Sequence, residues 1–281
     1  MKSLTKILII YLPALILFSC TEKVNIDLDE SYSRLVVDGS ITNEYKKHSV
    51  ILSESSSYYF NQPPVIVTGA TVSVTDGMAT WNLPEEAPGV YSTATPLTGV
   101  PGTTYTLNIR LISPVGGYST YSASSLLNST PPLDSVRLIF HPDWSKDGLC
   151  EVNAFIQEPE GDDFYRFLIS RNNVVLTDTL HEWYVTDDRL LAGGYASGAT
   201  IGMLDQGDPA EIIAKGDTVT AEINCITREY ADFISQAQEE LRGSNPLFSG
   251  PRANVKGNIS NGAIGFFSAH SVYRKSVINQ K

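Results

Sequence analysis

Histidine, cysteine, tryptophan and methionine are all scarce, at four, three, three and three in 281 residues. His48, His141, His181 and His270 include no pair at metal-ligand spacing, and H-E-x-x-H is absent. The G-x-S-x-G elbow and the phosphate-cradling P-loop are missing as well. These gaps exclude the common zinc hydrolases, elbow-type serine hydrolases and P-loop enzymes, and no metal or cofactor is implied. Basic runs are also lacking. Twenty Lys and Arg face 31 Asp and Glu, a formal charge of −11, which repels nucleic acid and rules it out as a partner. No apolar run has the length of a membrane span: Ile7–Phe18 is interrupted by Pro13, and twelve helical residues would rise only about 18 Å against a hydrocarbon core of roughly 30 Å.

That short run has another use. Lys2 and Lys6 give it a positive start, and Ser19 is the small residue expected before a cleavage point, so residues 1–19 read as a signal peptide. Leu17-Phe18-Ser19-Cys20 resembles the bacterial lipobox, although Phe18 is bulkier than its usual occupant. Cys20 is therefore the expected lipidation site. Each buried methylene contributes about 0.8 kcal/mol, so several acyl chains on one cysteine would hold the protein at a membrane. Residues 20–33, with Glu22, Asp27, Asp29 and Glu30, read as an acidic tether.

Beyond the tether the apolar period is two. "ATVSVTDGMATWNL" gives the clearest hairpin, with Val72 and Val74 alternating with Ser73 and Thr75 before an Asp76-Gly77 turn. About seven short strands punctuated by turn residues make 34–127 a β-sandwich. "NSTPPLDS", 128–135, reads as a linker to a second β-rich domain, 136–281. Within that domain Tyr230, Phe233, Ile234, Ala237 and Leu241 recur at helical spacing behind a Thr227 cap, which predicts one amphipathic helix over 227–241. Cys150 and Cys225 each lie on the apolar face of an alternating segment, either as buried free thiols or as a Cys150–Cys225 disulfide.

Candidate chemistry is sparse. Asp143, Ser145, Asp147 and Gly148 resemble half a calcium loop, but its twelfth position is Ala154, so a hairpin turn is the better reading. Glu158, Asp163, Asp187 and Asp188 could be paired as a glycosidase dyad only by a fold that brings them together. Aromatics favour binding: Tyr58, Tyr59, Trp144, Trp183 and Tyr184 are the candidate ligand-binding residues, set among loops and acids, and cross-strand packing is the plainer alternative.

An ordered set of stretches carries a family resemblance. "VNIDLDE", "LVVDGSIT", "GATVSVTDG", "GVPGTTYTLNI", "CITREYADFISQAQEEL" and "NPLFSGPRANVKGNISNGAIGFFSA" together resemble an outer-membrane lipoprotein family of Bacteroidota, domain of unknown function 4249. The resemblance implies an N-terminal immunoglobulin-like, carboxypeptidase-regulatory-like β-sandwich. A second β-rich domain with the helix follows it. It also implies a lipid-anchored outer-membrane accessory protein, not an enzyme, working beside a TonB-dependent transporter in nutrient uptake. The alternatives are direct binding of a glycan or peptide, or a hydrolase with an unrecognised carboxylate site. Periplasmic and cell-surface faces both fit. Gly257, Asn258 and Gly262 match the family's C-terminal pattern, and the family supplies no catalytic residue.

Overall fold

The structure, a computed structural model, describes residues 33–55, 63–188, 193–242 and 255–281. Cys20, Tyr58 and Tyr59 lie outside the described residues. Among the described residues the fold is mainly β with one α-helix, as the sequence pattern predicts. A ten-stranded sheet runs through it. In spatial order its main path is β13 (Val174–Val175), β12 (Phe164–Arg171), β16 (Thr218–Ile226), β17 (Ile264–Ile278), β1 (Leu35–Thr42), β2 (Ser49–Glu54), β7 (Val90–Ser92) and β6 (Glu85–Ala87). Two short strands join it from the side, β3 (Val65–Ile66) on β2 and β14 (Tyr184–Asp187) on β12.

Two smaller sheets pack side by side on one face of this long sheet. The first contains β5 (Thr80–Leu83), β4 (Thr71–Thr75), β8 (Thr104–Val115) and β9 (Tyr118–Leu126), in that order. Its inward residues, Leu107 and Ile109 among them, meet Leu35, Val37, Leu52 and Phe267 in the first core. The second contains β10 (Leu133–His141), β11 (Leu149–Gln157) and β15 (Tyr195–Asp205). Val152 and Ile201 from it meet Ile169, Ala221 and Ile223 in the second core. Residues of one parity face these cores, because side chains alternate across a strand. On β17, Phe267 and Ala269 enter the first core while Tyr273 and Val277 pack on the second.

The division predicted at 128–135 is therefore revised. Leu133 already opens β10, and the last strand completes the sheet of the first half. β17 pairs in parallel with β1 and antiparallel with β16. Parallel neighbours need a long crossover connection, and here nearly the whole chain supplies it. The close approach demands glycine at one point: a Cβ on Gly265, whose φ is 97°, would lie 2.0 Å from the Val37 carbonyl oxygen.

The family-pattern residues cover an open edge. Asn258 mimics a strand partner, accepting from the Phe267 N–H at 3.0 Å and donating to the Phe267 carbonyl at 2.8 Å and the Ser124 carbonyl at 3.2 Å. Asn261 donates to the Thr120 carbonyl at 2.8 Å, and the Ser260 N–H to the Ser122 carbonyl at 2.8 Å. Polar side chains thus occupy the free edge of β9, where a further strand could otherwise add.

The other face of the long sheet carries helix α1 (Arg228–Leu241). Thr227 caps it, its hydroxyl accepting from the Tyr230 N–H, as predicted. Ala231 and Ile234 are buried and Tyr230 and Phe233 pack beside them, but Leu241 is exposed and leaves the expected apolar stripe. No helix among the described residues is long and apolar enough to cross a membrane.

Candidate functional site

Beside α1 the same face holds a polar pocket of about 220 Å³. Strands β1, β12, β16 and β17 form its floor, so both halves of the chain contribute. Its defining residue is Arg166 on β12, 7% exposed and flanked in sequence by the apolar Tyr165 and Phe167. Those neighbours point into the second core, and alternation turns Arg166 to the opposite face.

Arg166 is held by neutral groups. Its Nε donates to Asn224 Oδ1 at 2.9 Å and its Nη2 to the same oxygen at 2.7 Å. Nη1 donates to the Tyr230 hydroxyl at 3.4 Å. The guanidinium lies 4.5 Å from the Trp183 ring centroid and 5.8 Å from that of Tyr230, both within cation–π range. Nη2 also meets His270 Nε2 at 3.4 Å. An arginine can only donate, so Nε2 accepts and the proton sits on Nδ1, which donates to Ser268 Oγ at 3.2 Å. His270 is accordingly neutral. Burial first, and then the charges of Arg166 and Lys46, hold its pKa well below the usual value.

A relay of charged and polar groups leads away from Arg166. Asn224 donates to Glu222 Oε1 at 2.9 Å, and Arg274 donates to Glu222 Oε2 and to Glu44. Lys46 closes the chain on Glu44 at 2.7 Å. Burial would raise the Glu44 carboxyl, but the bonds from Arg274 and Lys46 override it and hold the pKa at about 2. Asp38 stands in the pocket wall; desolvation there raises its pKa, opposed by the charge of Arg166. Larger hollows of about 440 and 400 Å³ lie on the outer face of the first small sheet and beside the start of α1. Exposed hydroxyls dominate the first and no buried charge faces either one.

The sequence matches the family described as Domain of unknown function (DUF4249) over residues 21–276. The chain belongs to that family. No curated protein matches it. Among solved structures it is similar to a chain of "Cytokine receptor complex - Crystal form 1A" at 15% identity. That likeness covers 69% of this chain and 85% of the other at a TM-score of 0.25, too low to carry weight.

Of the aromatic candidates, the pocket includes Trp183 and not Trp144. Trp183 is half-buried, and Arg166 covers one face of its ring, so that face cannot also stack on a ligand. Tyr184 begins β14, 42% exposed, its ring 6.1 Å from that of Phe167. Trp144 lies in the turn between β10 and β11, 56% exposed, stacked 3.6 Å from His141. His141 is bonded to Glu151 at 2.7 Å. Bonds from Thr200, Asn153 and His141 hold the Glu151 carboxyl at about 2. The half calcium loop, Asp143 to Gly148, is that same turn, and no metal-ligating cluster occurs among the described residues.

The fold does bring three of the proposed carboxylates together. The Asp163 N–H donates to Asp188 Oδ1 at 2.9 Å, and the charges of Asp188 and Asp163 both act on Glu158. Desolvation is the larger cause, and it raises the pKa of Glu158 and of Asp163. The Tyr165 hydroxyl lies beside Glu158 without a bond of good geometry. Cys150 and Cys225 are buried free thiols, not the alternative bridge. Cys225 points its thiol to Asp163 Oδ1 at 3.8 Å, and burial raises Cys150 to about 11, which leaves it protonated and inert.

Sequence reading missed Arg166, Asn224 and His270. The available signal was a charged residue inside "FYRFLIS" and an amide inside "AEINCI", both at positions that alternation assigns to the face opposite the core.

Proposed function

We propose that this chain is a Bacteroidota lipoprotein, anchored at the outer membrane through Cys20, that binds rather than converts. It works beside a TonB-dependent transporter in nutrient uptake. The observation that carries the reading is the pocket around Arg166. Apart from Asp38, its charged groups are tied to one another or held by neutral partners, an arrangement suited to rigid recognition, because a fixed polar surface loses little freedom on binding. A lipid anchor adds effective concentration near other membrane proteins, so a modest affinity suffices. Co-purification from native membranes tests the association: a transporter is expected with the lipoprotein, and recovery without any stable partner counts heavily against it. Mass spectrometry of the mature N-terminus is expected to find acyl chains on Cys20.

A second reading, direct binding of a glycan, is favoured by Trp144. One face of its indole rests on His141, which Glu151 fixes in turn, so the other is a ready stacking platform. Trp144→Ala is expected to abolish binding to any responding member of a glycan panel. Unchanged binding across that panel removes this reading.

A further inference from the structure

Buried arginines are normally compensated by a carboxylate, because an unpaired buried charge is costly. Arg166 departs from this. Its bonded partners are an amide, a phenol and a neutral imidazole, and among the described residues no carboxylate forms an ion pair with it. Glu222 and Glu44, which could have served, are already engaged by Arg274 and Lys46. A guanidinium has five N–H donors. Four are used here, two on Asn224, one on His270 and one on Tyr230, which leaves one N–H of Nη1. Asn224 occupies the position where an aspartate would neutralise the charge, and it is fully buried.

We propose that the pocket takes the carboxylate of a small polar molecule, received by the remaining Nη1–H of Arg166 beside the side chain of Asp38. The proposal rests on the reading of this chain as a binding protein and names the chemistry of its ligand. A monoanion supplies the one charge that Arg166 lacks. A dianion such as phosphate would meet the carboxylates of Glu44 and Glu222 in the same wall. Desolvation raises the pKa of Asp38 in the same wall, the direction that lessens its repulsion of a bound carboxylate. The volume of about 220 Å³ suits a group the size of a single sugar acid or amino-acid-derived acid, not a polymer.

The test uses the mature chain, residues 20–281 with Cys20→Ser, so no transporter or lipid is needed. The Nε–H resonance of Arg166, assigned by its loss in Arg166→Lys, is followed while acetate, D-galacturonate, acetamide or D-galactose is added at constant ionic strength. At least one acid is expected to shift it saturably, with an affinity at least tenfold above that of its neutral counterpart. Asn224→Asp, which gives Arg166 an internal carboxylate, is expected to weaken that acid at least tenfold. Failure of both acids to move the resonance overturns the proposal, as does equal affinity for acid and neutral forms, or unchanged acid binding in a folded Asn224→Asp. Loss of the transporter in co-purification, with acid binding intact, would remove the association and leave this site standing.

Discussion

In the first core each buried tyrosine hydroxyl has a backbone partner, whereas in the second the Tyr165 hydroxyl lies beside Glu158 without one. Tyr91 donates to the Val67 carbonyl and accepts from the Ala70 N–H, both at 3.0 Å. Tyr105 accepts from the Val100 N–H at 2.9 Å, and Tyr121 donates to the Val115 carbonyl. His48 is satisfied at both ring nitrogens, by the Thr42 N–H and the Leu97 carbonyl. Among the described residues every buried side-chain polar atom without a partner belongs to the second half: Ser145, Glu158, Tyr165, Asp188 and Ser271. Unsatisfied buried groups cost about 1–3 kcal/mol each. Among the described residues, then, the first half pairs its buried polar side-chain atoms within the protein, and the second leaves these five without a protein partner. The pocket sits where the two meet, on strands from both.

That contrast can be broken or sharpened by substitution. Phe267 is fully buried on the strand shared by the two halves, so Phe267→Ala is expected to cost about 3–5 kcal/mol by urea unfolding. If β17 belonged to one half alone, only that half would lose protection in hydrogen exchange; loss in both is expected. Asn258→Ala strips the N–H and carbonyl of Phe267 of their partners, and a loss of about 1–3 kcal/mol is expected in the same assay.

The tyrosines provide a test by sign. Tyr91→Phe is expected to destabilise by about 1 kcal/mol, because two backbone groups lose a partner, while Tyr165→Phe is expected to be neutral or stabilising. Equal losses would show that the second core is as well satisfied as the first. The smallest effect is on pH dependence. Glu158 and Asp163 have folded-state pKa values above their unfolded ones, so the native state binds the extra protons. Their contribution is fully present below the ordinary carboxyl range and is lost as pH rises through the raised values. Glu44 and Glu151, held at about 2, behave oppositely, contributing above that range and losing it as pH falls toward 2. Glu158→Gln is expected to flatten the decline on the alkaline side of unfolding midpoints measured from about pH 4 to about pH 8.

Local features were legible in the sequence because local physics makes them. The hairpin β4–β5 follows from alternation and an Asp-Gly turn, and α1 from an apolar period behind a threonine cap. The partners of β17 were not legible. Its pairing with β1 joins Val36 to Ile264, and no short-range pattern encodes a contact across so much chain. The same cause produced the misplaced linker: Pro131 and Pro132 mark a change of sheet, which composition cannot distinguish from a change of domain. The pocket was hidden for a related reason. Arg166, Asn224 and His270 come from three strands that only the sheet order makes adjacent.

With β17 joining the two cores, the molecule is expected to unfold as one cooperative unit whose seam holds the pocket. Trp81 packs on the first core and Trp183 beside α1, and with Trp144 they are the only tryptophans. Two variants, each retaining one of these two reporters with the other tryptophans changed to phenylalanine, are unfolded in urea and compared with circular dichroism of the same samples. Each fluorescence transition is expected to coincide with the dichroism transition of its own variant. A Trp81 transition well separated from the Trp183 transition, with dichroism showing two steps, would contradict it.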